Sequence, residues 1–182
     1  MSTSIPTPMC LCFILDGPLG DPVRVLLGHK KRGLGTGNIV GLGGHIDPGE
    51  TARRAAAREV SEESGVRVEA SDLEHRADVA FTFPARPTWD QTAAVFVADR
   101  WHGEPVSTDE ITPEWFALST LPLDRMWDDA RYWLPRVLAG ERLRIGIVFG
   151  ADCRTADDVA IDPLGWPIDE HEPATEATQQ AP

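Results

Sequence analysis

The sequence has 182 residues, 42% of them hydrophobic, a net charge of −12 and a pI near 4.7. That is enough apolar material for one domain with a real core. The acidity argues against holding a nucleic-acid polymer by bulk electrostatics, although a divalent cation or a local basic cluster could still bring in a small phosphate compound. No stretch is apolar enough to span a bilayer, and MSTSIPTPMC lacks the basic and apolar segments of a signal peptide, so the cytoplasm is the expected compartment.

In chain order, Met9–Leu15 (MCLCFIL) reads as a buried strand and Val23–Leu27 as its hairpin partner across the turn DGPLGDP. A basic, glycine-rich loop, GHKKRGLGTG, follows, and Ile39–Leu42 is a short extended piece before Gly43 and Gly44. Next comes a helix, with Asp47 or Thr51 as its cap and Gly65 at its end. Strands are expected within Val66–His75, Asp78–Phe83 and Thr92–Trp101, a turn at Gly103–Pro105, and extended chain at Glu114–Ala117. A second helix, Trp127–Leu138, holds Pro135, and Leu143–Phe149 is the last strand. The domain is expected to end at Asp162, and 163–182, rich in Pro, Glu, Thr and Gln, is expected to be a disordered tail. Without regular strand–helix alternation, these elements predict an α+β sandwich around a mixed sheet. Cys10, Cys12 and Cys153 form neither a disulfide framework nor a zinc site and read as small buried hydrophobes.

The first helix poses the chemical question. At about 100° per residue, Glu59, Glu62 and Glu63 fall within an arc of roughly 100° shared with Ala52, Ala55 and Ala56. Small residues let the helix lie close to its neighbour, which places the carboxylates beside the sheet. Like charges at these spacings repel by a few tenths of a kcal/mol each even in water. A solvated surface helix could absorb that, but in a cleft a cation is needed, and magnesium suits oxygen ligands shared with substrate phosphates. Arg58 can brace a carboxylate from the flank.

Gly44, Glu50 and the run Arg58-Glu59-Val60-Ser61-Glu62-Glu63-Ser64-Gly65-Val66 resemble the Nudix box at every specified position. The resemblance implies an α/β/α sandwich with a mixed β-sheet and magnesium- or manganese-dependent hydrolysis of a diphosphate bond in a nucleotide. It implies Glu59, Glu62 and Glu63 as metal ligands with the Gly43 carbonyl. Arg58 would orient a glutamate, and Glu50 would support the loop. A proton could pass to a box glutamate or to a carboxylate from elsewhere.

Beyond the box, LLGHKKRGLG, MWDD followed by Tyr132-Trp133, and TDEI ahead of PEWF resemble the branch of the family that hydrolyses oxidised purine nucleoside triphosphates. That likeness implies Lys30 in the nucleotide pocket, Trp127 stacking on the base, Asp129 with Asp128 beside it at the base edge, Phe81 lining the base pocket, and Glu110 as extra ligand or base. The branch has asparagine at Val40, aspartate at Ala130, phenylalanine at Leu34 and lysine at His45. Valine offers no hydrogen bond, which shifts base discrimination by roughly 1–3 kcal/mol. His45 is placed to contact phosphate or solvent. His29, His75, His102 and His171 show no ligand spacing. The alternatives are a Nudix hydrolase of ADP-ribose, a nucleotide sugar or a dinucleotide, and a non-catalytic nucleotide-binding module. The sequence is silent on oligomeric state.

Overall fold

Strand β1, Thr7–Asp16, feeds two cores at once. Its side chains alternate: Cys10, Cys12 and Ile14 enter one apolar cluster, and Phe13 and Leu15 enter the other. A strand buried on both faces must be covered on both, so this alternation dictates a three-layer arrangement. The computed structural model of the chain describes residues 5–164. The expected tail beyond Leu164 lies outside them.

The remaining elements are β2 (Arg24–Lys30), β3 (Ile39–Val40), α1 (Ala52–Ser64), β4 (Glu74–Thr82), β5 (Gln91–Ala98), β6 (Ile111–Ala117), α2 (Ala130–Leu138), β7 (Leu143–Phe149) and β8 (Ala156–Pro163). They form a mixed sheet in the order β3-β2-β1-β5-β4-β7-β8, with β6 also on β2. The β1–β5 and β4–β7 pairs are parallel, and the rest are antiparallel. α1 covers one face through Ala55, Ala56 and Val60, and α2 covers the other through Trp133, Leu134, Val137 and Leu138. The expected α/β/α sandwich is present.

A split in the sheet creates the site. β2 pairs with β1 only from Arg24 to Leu26, and then uses the same edge to pair with β3 at Gly28 and His29. The freed half of β1 bonds instead to the glycine segment, where the Cys12 amide donates to the Leu42 carbonyl at 2.7 Å and the Cys10 amide to that of Gly44 at 2.9 Å. Gly43, at φ 154°, lies so close to β1 that a Cβ there would stand 2.1 Å from the Cys10 carbonyl oxygen. No other residue fits at this position.

The structure departs from the expected elements in three places. Only Arg67 within Val66–Leu73 pairs, by an isolated bridge to His102, and Ala70–Asp72 is a 3-10 turn leading into β4. The second helix starts at Ala130, which leaves Trp127–Asp129 in a turn before it. β8 was not legible as a strand, because its sequence ADDVAIDP is acidic and it lies at the sheet's edge, largely exposed.

Candidate active site

α1 begins where the Thr51 hydroxyl accepts the Arg54 amide at 3.3 Å and ends at Gly65 in the left-handed conformation. Between these caps, Arg58 is the hub. Its Nε and Nη2 grip both oxygens of Glu50 at 3.1 and 2.9 Å. Its Nη1 reaches Glu59 at 2.8 Å and Glu62 at 3.3 Å, and Nη2 also donates to the His45 carbonyl at 3.1 Å. One guanidinium therefore ties the loop before the helix to two glutamates on it, the planar fork geometry that lysine could not supply. Glu50 is held below the usual carboxylate range by these bonds to Arg58.

Glu63 is the buried member, 3% exposed. Its Oε2 accepts the Gly43 amide at 2.8 Å, and its Oε1 lies 3.6 Å from Lys30 Nζ. Burial pushes its pKa up to about 7, against the pull of the Gly43 bond and the Lys30 charge. Gly44 must lack a side chain, since a Cβ would stand 2.5 Å from Glu59 Oε1. Across from α1, Glu110 pairs with Arg32 at 2.5 Å, and this bond holds it below its ordinary range.

Glu59, Glu62, Glu63, Glu110 and Gly43 all line one cleft of about 790 Å³. Among the described residues no three carboxylates already converge as a coordination shell; each is held by an internal donor. The donor set is nonetheless what a hard divalent cation takes: several carboxylates, one of them buried and under-compensated, and no sulfur or imidazole partner among them. The residues fit such an ion.

The far end of the same cleft is apolar. Phe83 stacks on Phe149 with centroids 4.4 Å apart, and Trp127 meets both edge-on at 6.3 and 5.8 Å. Lys30, His45, Phe81, Trp127 and Asp129 line the cleft. Asp129 is 3% exposed, its Oδ2 accepts Trp133 Nε1 at 2.8 Å, and burial raises its pKa to about 6.

Asp128 is a correction. It does not join the cleft: one oxygen accepts the Ala156 amide at 3.0 Å and the other pairs with Arg131 at 2.6 Å, so it anchors the turn to β8. Sequence reasoning also missed Phe83, Phe149 and Gln91, all of which line the cleft. They stand at strand ends, and only the order β5-β4-β7 brings those ends together.

The NUDIX domain model matches residues 9–137. Over 121 residues, 66% of this chain and 76% of the relative, the chain is 41% identical to an oxidized purine nucleoside triphosphate hydrolase of Danio rerio. It is also 41% identical over 117 residues, 64% of this chain and 73% of the relative, to the hydrolase of the same name in Mus musculus. In fold it is similar to the crystal structure of a MutT protein from Bacillus halodurans, with TM-score 0.72, 22% identity, and coverage of 87% of this chain and 99% of that one. With a split sheet, an arginine-braced glutamate helix and these matches, the chain belongs to the Nudix family of hydrolases.

Proposed function

We propose that the chain hydrolyses an oxidised or otherwise modified purine nucleoside triphosphate, such as 8-oxo-dGTP, to the monophosphate and pyrophosphate, with magnesium as the ion and manganese as a substitute. One observation carries this reading: the rings of Phe83, Phe149 and Trp127 line the same cleft as the carboxylate cluster, so an aromatic face and a set of acids share one cavity. The names of the Danio rerio and Mus musculus relatives agree with it.

In this reading Trp127 presents its indole to the purine and Asp129 meets the base edge. Lys30 and Arg32 are cations that line the cleft, and they would meet the phosphates. Arg58 keeps Glu59 and Glu62 on the cleft side of α1, and Gly43 holds Glu63 there. A bound divalent ion, held by Glu59, Glu62, Glu63, Glu110 and the Gly43 carbonyl, would neutralise phosphate charge and acidify a water. The water oxygen bonds to phosphorus, the anhydride P–O bond breaks toward pyrophosphate, and the proton passes to a cleft carboxylate, with Glu110, Glu62 and Glu63 the candidates.

The test is a set of initial rates with 8-oxo-dGTP, dGTP, 2-hydroxy-dATP and ADP-ribose at equal enzyme and magnesium, with products identified. The expected result is preference for an oxidised purine triphosphate, release of pyrophosphate, and loss of turnover with chelator while the circular dichroism spectrum is kept. Fast ADP-ribose cleavage beside slow triphosphate hydrolysis would overturn the substrate assignment.

A further inference from the structure

The base end of the cleft is short of hydrogen-bonding groups. Ala130 lines it and offers none from its side chain, and Val40, which packs on the α1 side of the same cleft, offers none either. Among the described lining side chains on the α2 side, those with hydrogen-bonding groups are Asp129, Gln91 and the indole N–H groups of Trp127 and Trp133, and Trp133 is already bonded to Asp129. Asp129 already spends Oδ2 on Trp133. A purine carries donors and acceptors along its edge, and burying them unpaired is costly. Whatever base enters must find its remaining partners here.

Gln91 is placed for this. It opens β5 and stands directly opposite Phe81 of β4 in register, so both side chains lie on the same face of the sheet. That is the face of Val95, Val97 and the α2 core. Its backbone is fixed from the preceding residue: the Asp90 carbonyl accepts the Thr7 amide at 2.9 Å, and the Asp90 carboxylate accepts the Phe83 amide at 2.7 Å. Trp89 packs edge-on against Phe83 at 5.8 Å and closes the connection. The Gln91 side chain makes no hydrogen bond to any described residue. A primary amide there offers both a donor and an acceptor, on a strand whose start cannot drift.

The geometry points to Gln91 as the residue that reads the purine edge and sets which purine the cleft prefers. The inference rests on the nucleotide reading proposed above and deepens it. A glutamine at this position donates to a base carbonyl and accepts from a ring or exocyclic N–H by rotating one amide. The cleft thus replaces the polar groups absent at Val40 and Ala130 with one from a different strand.

The experiment compares wild type with Gln91→Leu and Gln91→Met on 8-oxo-dGTP, dGTP, 2-hydroxy-dATP and dATP. Wild type should discriminate among the four. In both variants kcat/KM for the best substrate should fall about 10-fold, carried by KM, and the ratio between best and worst purines should shrink about as much. Thermal melts identify a variant that fails to fold. Tryptophan fluorescence titration with 8-oxo-dGMP in chelator gives a second, metal-free readout, in which Kd should rise by a similar factor. If the variants keep wild-type KM, selectivity and Kd, Gln91 is not a reader and this inference alone falls. If wild type turns over none of the triphosphates, the functional reading falls first and takes the inference with it.

Discussion

The carboxylate end of the cleft is drawn from one stretch, Gly43 to Glu63, with Glu110 added from outside. It is held by hydrogen bonds that the glutamates of this stretch make to Arg58 or to the Gly43 amide, and that Glu110 makes to Arg32. The base end is gathered from β1, β4, β5, β7 and the turn before α2, and it is held by packed rings. Hydrogen bonds with directional donors fix charged oxygens to within a few tenths of an ångström, which hydrolysis requires. Stacked rings define a slot of fixed thickness but leave the in-plane orientation of a base to a few polar atoms. The two ends should therefore fail differently: the first in turnover, the second in affinity and choice of base.

The largest effect is expected at Glu63. Glu63→Gln keeps an oxygen to accept the Gly43 amide but removes the buried charge. We expect kcat to drop about 10³-fold, roughly 4 kcal/mol in the barrier, with melting temperature unchanged or raised, because a buried carboxylate is neutralised. A variant that loses stability instead, or that keeps its turnover, would show that Glu63 is a structural anchor for the glycine segment and not part of the chemistry.

The difference in construction also explains what could be read in advance. Glu59, Glu62, Glu63 and Arg58 were legible because helical periodicity converts spacing into shared direction, and a capped helix has few alternatives. The Arg58–Glu50 fork was not expected: the sequence reading has Arg58 bracing a helix glutamate and Glu50 supporting the loop, and the structure joins the two. Phe83, Gln91 and Phe149 were not legible. Each reads as an ordinary strand residue, and its place in the cleft depends on which strands pair, which the local pattern does not encode. Asp128 misled for a related reason. In a turn, neighbouring residues diverge, so one of two adjacent aspartates faces the cleft and the other faces the β8 backbone. β8 itself, acidic and exposed, lacks the apolar alternation that marks inner strands.

At the base end the largest expected effect is on stability. Asp129 has its folded pKa raised from the ordinary 3.8 to about 6 by burial. The neutral form is the one the fold favours. Its contribution is full below pH 3.8 and is lost as pH rises through about 6. Asp129→Asn keeps an acceptor for Trp133 Nε1 and cannot ionise. It should match wild type at pH 4 and exceed it at pH 8 by roughly 2–3 kcal/mol, read by urea denaturation at the two pH values. Equal stability at both would mean that the fold accommodates the charge. Trp127→Ala comes next: stacking is worth about 1–3 kcal/mol per base, so KM should rise about 10- to 100-fold while kcat stays within a few-fold. A fall confined to kcat would place Trp127 with the chemistry rather than the base.

The smallest effect tests the comparison most sharply, because it adds a directional group to a cleft lined by few neutral ones. Val40 pairs with Gly28 in β3 and lines the cleft. Val40→Asn exchanges a branched side chain that suits a strand for one that does not, at a cost of roughly 0.5–1 kcal/mol in stability. In return it brings an amide into the cleft. If affinity there is limited by unsatisfied polar edges, KM for an oxidised purine triphosphate should fall about 5-fold, near 1 kcal/mol, with kcat unchanged. The gain should be larger in Gln91→Leu than in wild type, since the new amide would then satisfy an edge left bare. Such dependence of one substitution on the other is the mark of residues sharing a ligand. Strictly additive effects would show that Val40 and Gln91 face different parts of the substrate.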